Sequence, residues 1–146
     1  MTRWPTILLV EDNPEHAELV RRALALRAGA GRLVHVEDGA EALDYVHGRH
    51  RFSDRGAFPR PHLVLLDLRL PRVAGLDVLR EIKGSERLRD IPVVVLTTSS
   101  ADPDLTAAYA AHVNSYLVKP ANYDALDRLL ADVRDYWLGW NRVPRA

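Results

Sequence analysis

"HLVLLDLRLPRVAGLDVLREIKG", residues 62–84, decides the fold. Leu63–Leu66 are apolar without alternation and stop at Asp67, and a second stretch opens at Gly75 with Leu76, Leu79 and Ile82 at helical spacing. Four apolar residues are a strand's length rather than a helix's. A strand apolar on both faces is covered on both faces, as in a parallel sheet with helices above and below. The stretch therefore reads as strand, loop and helix, with a carboxylate at the strand's C-terminal end.

Outward from it, the unit repeats. "TILLV", "RLVHV", "PVVVLT" and "SYLV" are further short runs rich in β-branched residues and leucine, and residues 7–10 and 93–96 are again apolar throughout. Amphipathic stretches lie between them. "PEHAELVRRALALRAG" has Asn13 as N-cap, Pro14 at the first helical position and a stop near Gly29. Ala17, Val20, Ala23 and Leu24 share one face of it, and Glu18 and Arg22 pair on the other. "DGAEALDYVHG" sets Asp38 and Glu41 as a capping box and ends at Gly48. A fourth helix follows Asp102 and Pro103, alanine-rich and weakly amphipathic. A fifth follows Asn122, with Leu126, Leu129, Leu130, Val133 and Trp137 in register.

Five strands alternating with five helices give a doubly wound α/β domain, (βα)5, with a five-stranded parallel sheet and right-handed crossovers. The expected strand order is the flavodoxin-like 2-1-3-4-5. Two stretches fall outside the repeat: residues 49–60, which carry four arginines and read as a solvated loop, and the tail "GWNRVPRA".

Composition removes several function classes. The 146 residues suit one domain, and twenty basic residues balance twenty acidic ones, so no overall field draws the chain to DNA or an anionic membrane. The absence of cysteine rules out disulfides, thiolate metal sites and cysteine nucleophiles, and suits a reducing compartment. No apolar run approaches a membrane span or a signal-peptide core, so the expected location is the cytoplasm.

The strand ends carry the chemistry. Glu11 and Asp12 close the first strand, Asp67 the third, Thr97 and Thr98 the fourth and Lys119 the fifth, all at one edge of the sheet, where open α/β sheets bind ligands. Like charges ~4 to 5 Å apart cost about 3 to 4 kcal/mol per pair at an effective dielectric near 20, so the three acids call for a cation or raised pKa values. A hard divalent ion such as magnesium takes one or two carboxylates and keeps several waters. Acids that merely cap helices would explain neither Lys119 nor the Thr97 hydroxyl.

"LLVEDNP", "LVLLDLRLPRVAGLDVL", "PVVVLTTSS" and "YLVKPAN" resemble, in order and spacing, the receiver domain of two-component response regulators, over about residues 5–138, with 139–146 left as a tail and no output domain. The resemblance implies Asp67 as phosphoacceptor, Asp12 as the main side-chain metal ligand, Glu11 acting through water and Arg69 lending its backbone carbonyl to the ion. It also implies that Thr97 and Lys119 bind phosphoryl oxygens, that Thr98 offers its backbone to the same group, and that Thr97 and Tyr116 form the switch. Pro120 suggests a cis Lys119–Pro120 bond. The cofactor it implies is Mg2+, with Mn2+ as the alternative ion. The protein would then be a signalling phosphoprotein rather than a turnover enzyme, reading out through the face of the fourth helix, fifth strand and fifth helix.

The pattern departs from the commonest one in its Glu-Asp metal pair and in Thr98, a place often held by alanine. A narrower resemblance, carried by the long loop, "LTTS" and "YWL", is to single-domain regulators paired with bacterial phytochrome kinases. It implies a light-sensing histidine kinase, a bacteriophytochrome, as donor, and a homodimer through the same face. The aromatic tail, Tyr136, Trp137, Leu138 and Trp140, either packs back on its own domain or completes that dimer.

Rival readings fare worse. A haloacid-dehalogenase-type phosphatase needs a second acid two residues after the nucleophile, where Arg69 stands. A binding module with a degenerate pocket would not keep Asp67, Thr97 and Lys119. Nucleotide-binding Rossmann proteins need a glycine-rich motif after the first strand, which is missing, and DNA binding needs a recognition helix.

Overall fold

The computed structural model describes residues 5–24 and 31–144. Five strands, β1 (Thr6–Val10), β2 (Arg32–Val36), β3 (Leu63–Leu66), β4 (Val93–Thr97) and β5 (Ser115–Val118), pair in parallel in the order β2-β1-β3-β4-β5. Five helices alternate with them: α1 (Pro14–Leu24), α2 (Gly39–His47), α3 (Gly75–Gly84), α4 (Asp102–Ala110) and α5 (Tyr123–Arg134). The expected stop of the first helix near Gly29 lies outside the described residues.

Strand alternation sorts the core into two layers. Leu8, Val10, Val64, Leu66, Val93 and Val95 pack beneath α2, α3 and α4, against Val46, Val78, Ile82 and Ala108. Ile7, Leu9, Leu63, Leu65, Val94 and Leu96 pack beneath α1 and α5, against Val20, Leu24, Leu126 and Leu130. Each such aliphatic side chain contributes about 1.5–3 kcal/mol on burial, more than the ~1 kcal/mol that β-propensity spans, so burial sets the register.

Helix ends follow local chemistry. Asn13 accepts from the Glu15 and His16 amides at 2.9 and 3.3 Å, and Asn122 caps α5 through the Ala125 amide at 3.0 Å. Asp38 caps α2 by accepting from the Glu41 amide at 2.8 Å. The reciprocal half of the expected capping box is absent, because the Glu41 carboxylate pairs with Arg51 instead. Gly48, at φ 65°, ends α2 in the left-handed conformation that only glycine adopts without strain.

Three further expectations are corrected. Residues 49–60 are not simply a solvated loop: Phe52 is fully buried and packs edge-on against Tyr45 and Phe58, with ring centroids 5.0 and 5.1 Å apart. Arg55 is spent on structure there, donating to the carbonyls of Tyr45 and Val46 at the end of α2 (both 2.9 Å) and to Phe58 (3.0 Å). Four arginines give the segment a polar composition, but two aromatic rings anchor it. Second, the regular α-helix stops at Arg134, and Asp135–Trp140 form a π-helical turn. That turn divides the tail: Trp137 and Leu138 join the α1–α5 layer, while Tyr136 and Trp140 are 51% and 81% exposed. Third, no cis peptide bond occurs among the described residues, so Lys119–Pro120 is trans. Trans is the favoured isomer of X-Pro bonds, and the local pairing of the Lys119 amide with Thr97 O at 2.7 Å is made with it.

Candidate functional site

In a parallel sheet all strand C-termini meet at one edge, and the register fixes which of them are level. Val10 stands opposite Leu66, Leu66 opposite Val95, and Thr97 opposite Val118. Glu11 and Asp67 are therefore level on adjacent strands, tied by the Asp67 amide donating to Val10 O at 3.1 Å. Alternation carries Glu11, Asp67 and Lys119 toward the α1–α5 side and Thr97 and Tyr116 toward the α3–α4 side.

Lys119 is the hub. Its ammonium donates to Glu11 Oε1 at 2.5 Å and Asp67 Oδ2 at 3.3 Å, and meets His16 Nδ1 at 3.1 Å. Three protons thus find three acceptors, which is what allows this ammonium to be buried. The Lys119 and Glu11 side chains are only 4% and 2% exposed. Burial pushes the Glu11 carboxyl above its usual range; the hydrogen bond and charge of Lys119 pull it back without cancelling that, and Asp67 pushes it further up. Its second oxygen accepts from the Asn13 amide at 3.2 Å, and His35 Nε2 donates to its carbonyl at 2.7 Å. His16 is held below its ordinary pKa, first by burial and then by the Lys119 charge, which suits the neutral, accepting Nδ1 seen here.

Asp67 completes the floor. Its Oδ1 accepts from the Arg69 amide at 3.2 Å. The start of α3 presses against it: a Cβ at Gly75 would stand 2.1 Å from Asp67 O and 2.7 Å from Leu68 Cα, so only glycine lets the helix begin there. Asp12 is exposed, and one oxygen from each of Glu11, Asp12 and Asp67 falls within 4.8 Å of the others. An all-oxygen donor set with one exposed carboxylate suits a hard divalent ion that keeps part of its water shell.

The opposite wall is built from β4 and α4. Thr97 is fully buried, and its hydroxyl accepts from the Ser99 amide at 3.4 Å, whereas Thr98 is exposed. Tyr116 is partly buried and donates to Ser99 O at 2.9 Å. Ser99 Oγ donates to Asp104 Oδ2 at 2.5 Å, and the same oxygen accepts from Arg69 Nη2 at 2.6 Å.

Glu11, Asp12, Asp67 and Lys119 thus come together as the sequence led one to expect, with Thr97 and Tyr116 at the ends of the neighbouring strands. His16, Ser99 and Asp104 escaped the sequence reading. The signal for His16 was its place in the first turn of the helix that starts beside the acidic pair. For Asp104 it was its place in the first turn after "LTTSSA", which faces the Asp67 loop.

A family model described as the response regulator receiver domain matches residues 7–131. The chain is similar to the probable methanogenesis regulatory protein FilR2 of Methanothrix harundinacea, 54% identical over 94% of this chain and 86% of that protein. It is also similar to the response regulator Rcp1 of Synechocystis, 39% identical over 96% of this chain and 93% of that one. Among solved structures, the phosphorylated cyanobacterial phytochrome response regulator RcpA superimposes with a TM-score of 0.92 at 38% identity, covering 98% of this chain and 100% of its own. The Mn(2+)-bound form of Rcp1 gives a TM-score of 0.90 at 38% identity, covering 97% and 99%.

Proposed function

Because the chain belongs to the response regulator receiver domain family of two-component signalling, we propose that it accepts a phosphoryl group on Asp67 from a histidine kinase. The observation that carries this reading is the Asp67 carboxylate held 3.3 Å from a buried ammonium inside a three-carboxylate cluster at the sheet edge. We take residues 5–138 as the receiver and 139–146 as its tail.

Phosphoryl transfer asks a protein for alignment and charge more than for covalent chemistry. A bond forms between an Oδ atom of Asp67 and phosphorus as the P–N bond of the phosphohistidine breaks. The electron pair stays on the imidazole, which takes a proton from solvent. Lys119 aligns Asp67 for attack, and swings from Glu11 toward a phosphoryl oxygen as charge arrives. The Thr97 hydroxyl and the Thr98 amide take the others. Asp12 and Asp67 would hold a divalent ion, Mg2+ or Mn2+, with Glu11 behind them through water and the Arg69 carbonyl alongside. When bound, such an ion neutralises charge on the transferring group. Hydrolysis by water returns the carboxylate and releases phosphate, so the cycle is self-catalysed signalling rather than turnover of an external substrate.

The added charge biases a two-state shift in which Thr97 turns to the phosphate and Tyr116 leaves Ser99. The readout surface is α4-β5-α5, where Leu105, Tyr109 and Val118 are exposed, and a homodimer through it would enlist Trp140. A phytochrome-type donor is supported by the name of RcpA, whereas FilR2, at higher identity, is named for the regulation of methanogenesis. The donor class we assign is therefore the histidine kinase, with a light sensor as one candidate for phosphotransfer profiling.

The test is incubation with acetyl phosphate and Mg2+ followed by intact mass. Wild type gains about 80 Da and Asp67→Asn gains nothing. No gain in wild type refutes the assignment.

A further inference from the structure

Asp104 lies in the first turn of α4, yet one of its oxygens serves two loops. It accepts from Arg69 Nη2 of the β3–α3 loop at 2.6 Å and from Ser99 Oγ of the β4–α4 loop at 2.5 Å. Arg69 begins two residues from the Asp67 carboxylate, to which its amide is already bonded, and its side chain is 67% exposed and so free to swing. Ser99 is bonded in turn to Thr97 Oγ1 through its amide and to Tyr116 through its carbonyl. One carboxylate therefore ties together the two loops that flank Asp67.

We propose that Asp104 is a positioning residue which holds the Arg69 guanidinium on α4, and that competition between Asp104 and a phosphoryl group on Asp67 for this guanidinium sets how long the phosphoryl group survives. The proposal rests on the phosphoacceptor reading of Asp67. A phosphoryl group carries about −1.5 to −2 charge against the −1 of a carboxylate and offers three acceptor oxygens, so it draws Arg69 toward itself. Asp104 opposes that draw. While Asp104 retains Arg69, the phosphoryl group is less neutralised and more open to water, and its hydrolysis is faster. When Arg69 is released, it covers and neutralises the phosphoryl oxygens, while Asp104 keeps the Ser99 hydroxyl.

The experiment follows decay of the phosphorylated full-length chain by intact mass after acetyl phosphate is removed, in the presence of Mg2+. Exposed ion pairs of this kind couple weakly, so Asp104→Asn should lengthen the phosphate half-life by about two- to five-fold. Arg69→Ala should shorten it, and the double variant should decay as Arg69→Ala does, because Asp104 acts through Arg69. Asp104→Glu should restore the wild-type half-life. Opposite signs for two substitutions in one ion pair are not what general damage to the fold produces. Decay of Asp104→Asn at the wild-type rate, or an effect of equal size in the Arg69→Ala background, overturns the proposal while leaving Asp67 as acceptor. Failure of wild type to gain mass overturns both.

Discussion

Replacing Lys119 with methionine removes the ammonium that faces Glu11 and Asp67 inside the site. With the three acids' oxygens within 4.8 Å of one another, a carboxylate pair at that separation repels by about 3.5 kcal/mol at an effective dielectric near 20. Breaking a buried ion pair by removing one partner costs about 3–5 kcal/mol, in agreement with that figure. For a domain holding about 5–15 kcal/mol this is about a fifth or more of its stability. It corresponds to a melting-temperature loss of roughly 10–20 °C. The loss depends on pH through Glu11. Its folded pKa is already raised above 4.5, so the folded state binds more protons than the unfolded one above that pH, and stability falls as pH rises through the folded value. Without Lys119 two of the three effects that lower this pKa disappear, leaving only the bond from the Asn13 amide, and the fall extends to higher pH. Urea unfolding of Lys119→Met between pH 5 and 8 should therefore show a deficit that grows with pH, and Glu11→Gln in the same background should remove most of it. A variant as stable as wild type, with a flat pH profile, would show that the ammonium does not hold the cluster together.

Other substitutions probe the supports of the site. Gly75→Ala forces a methyl group into Asp67 O and Leu68 Cα, so it should cost about 1–3 kcal/mol and weaken Mn2+ binding measured by calorimetry; unchanged ion affinity would mean that the start of α3 does not position Asp67. Phe52→Ala empties the aromatic anchor of residues 49–60 and should cost about 3–5 kcal/mol in urea unfolding, whereas a solvated loop would lose almost nothing. Burial would raise the Asp38 carboxyl, but bonds from Arg72 and the Glu41 and Ala40 amides hold it below its usual 3.8, so its stabilisation is present above that pH and lost as pH falls through the folded value. Asp38→Ala should therefore cost about 1 kcal/mol at neutral pH, with the gap to wild type closing in acid; a gap that persists there would assign the effect to helix propensity.

Those parts of the fold whose physics is local to a few residues were legible in the sequence. The apolar runs of β1, β3 and β4 lack alternation because helices cover both faces, and that made the parallel sheet readable without a partner strand in view. The acids and Lys119 could be gathered into one site because a parallel sheet brings every strand's C-terminus to the same edge. Contacts made across the chain were not readable. Phe52 and Phe58 sit among four arginines, and nothing in that spacing says that Arg55 turns inward onto the end of α2. Trp137 keeps helical spacing with Val133, but helical periodicity is blind to the change from α to π geometry between them. Glu41 is placed for a reciprocal cap, and the sequence does not show that Arg51 reaches it first. His16 and Asp104 read as ordinary first-turn residues until both helix starts are seen to open onto the Asp67 edge.

Borohydride reduction after acetyl phosphate treatment tests the central claim most directly, because it reduces an acyl phosphate to an alcohol and leaves phosphoserine, phosphothreonine and free carboxylates alone. Peptide mass spectrometry of the treated protein should find homoserine at position 67 and aspartate unchanged at positions 12 and 104. Aspartate persisting at 67 in protein that has gained phosphate, or homoserine at another position, would contradict the account.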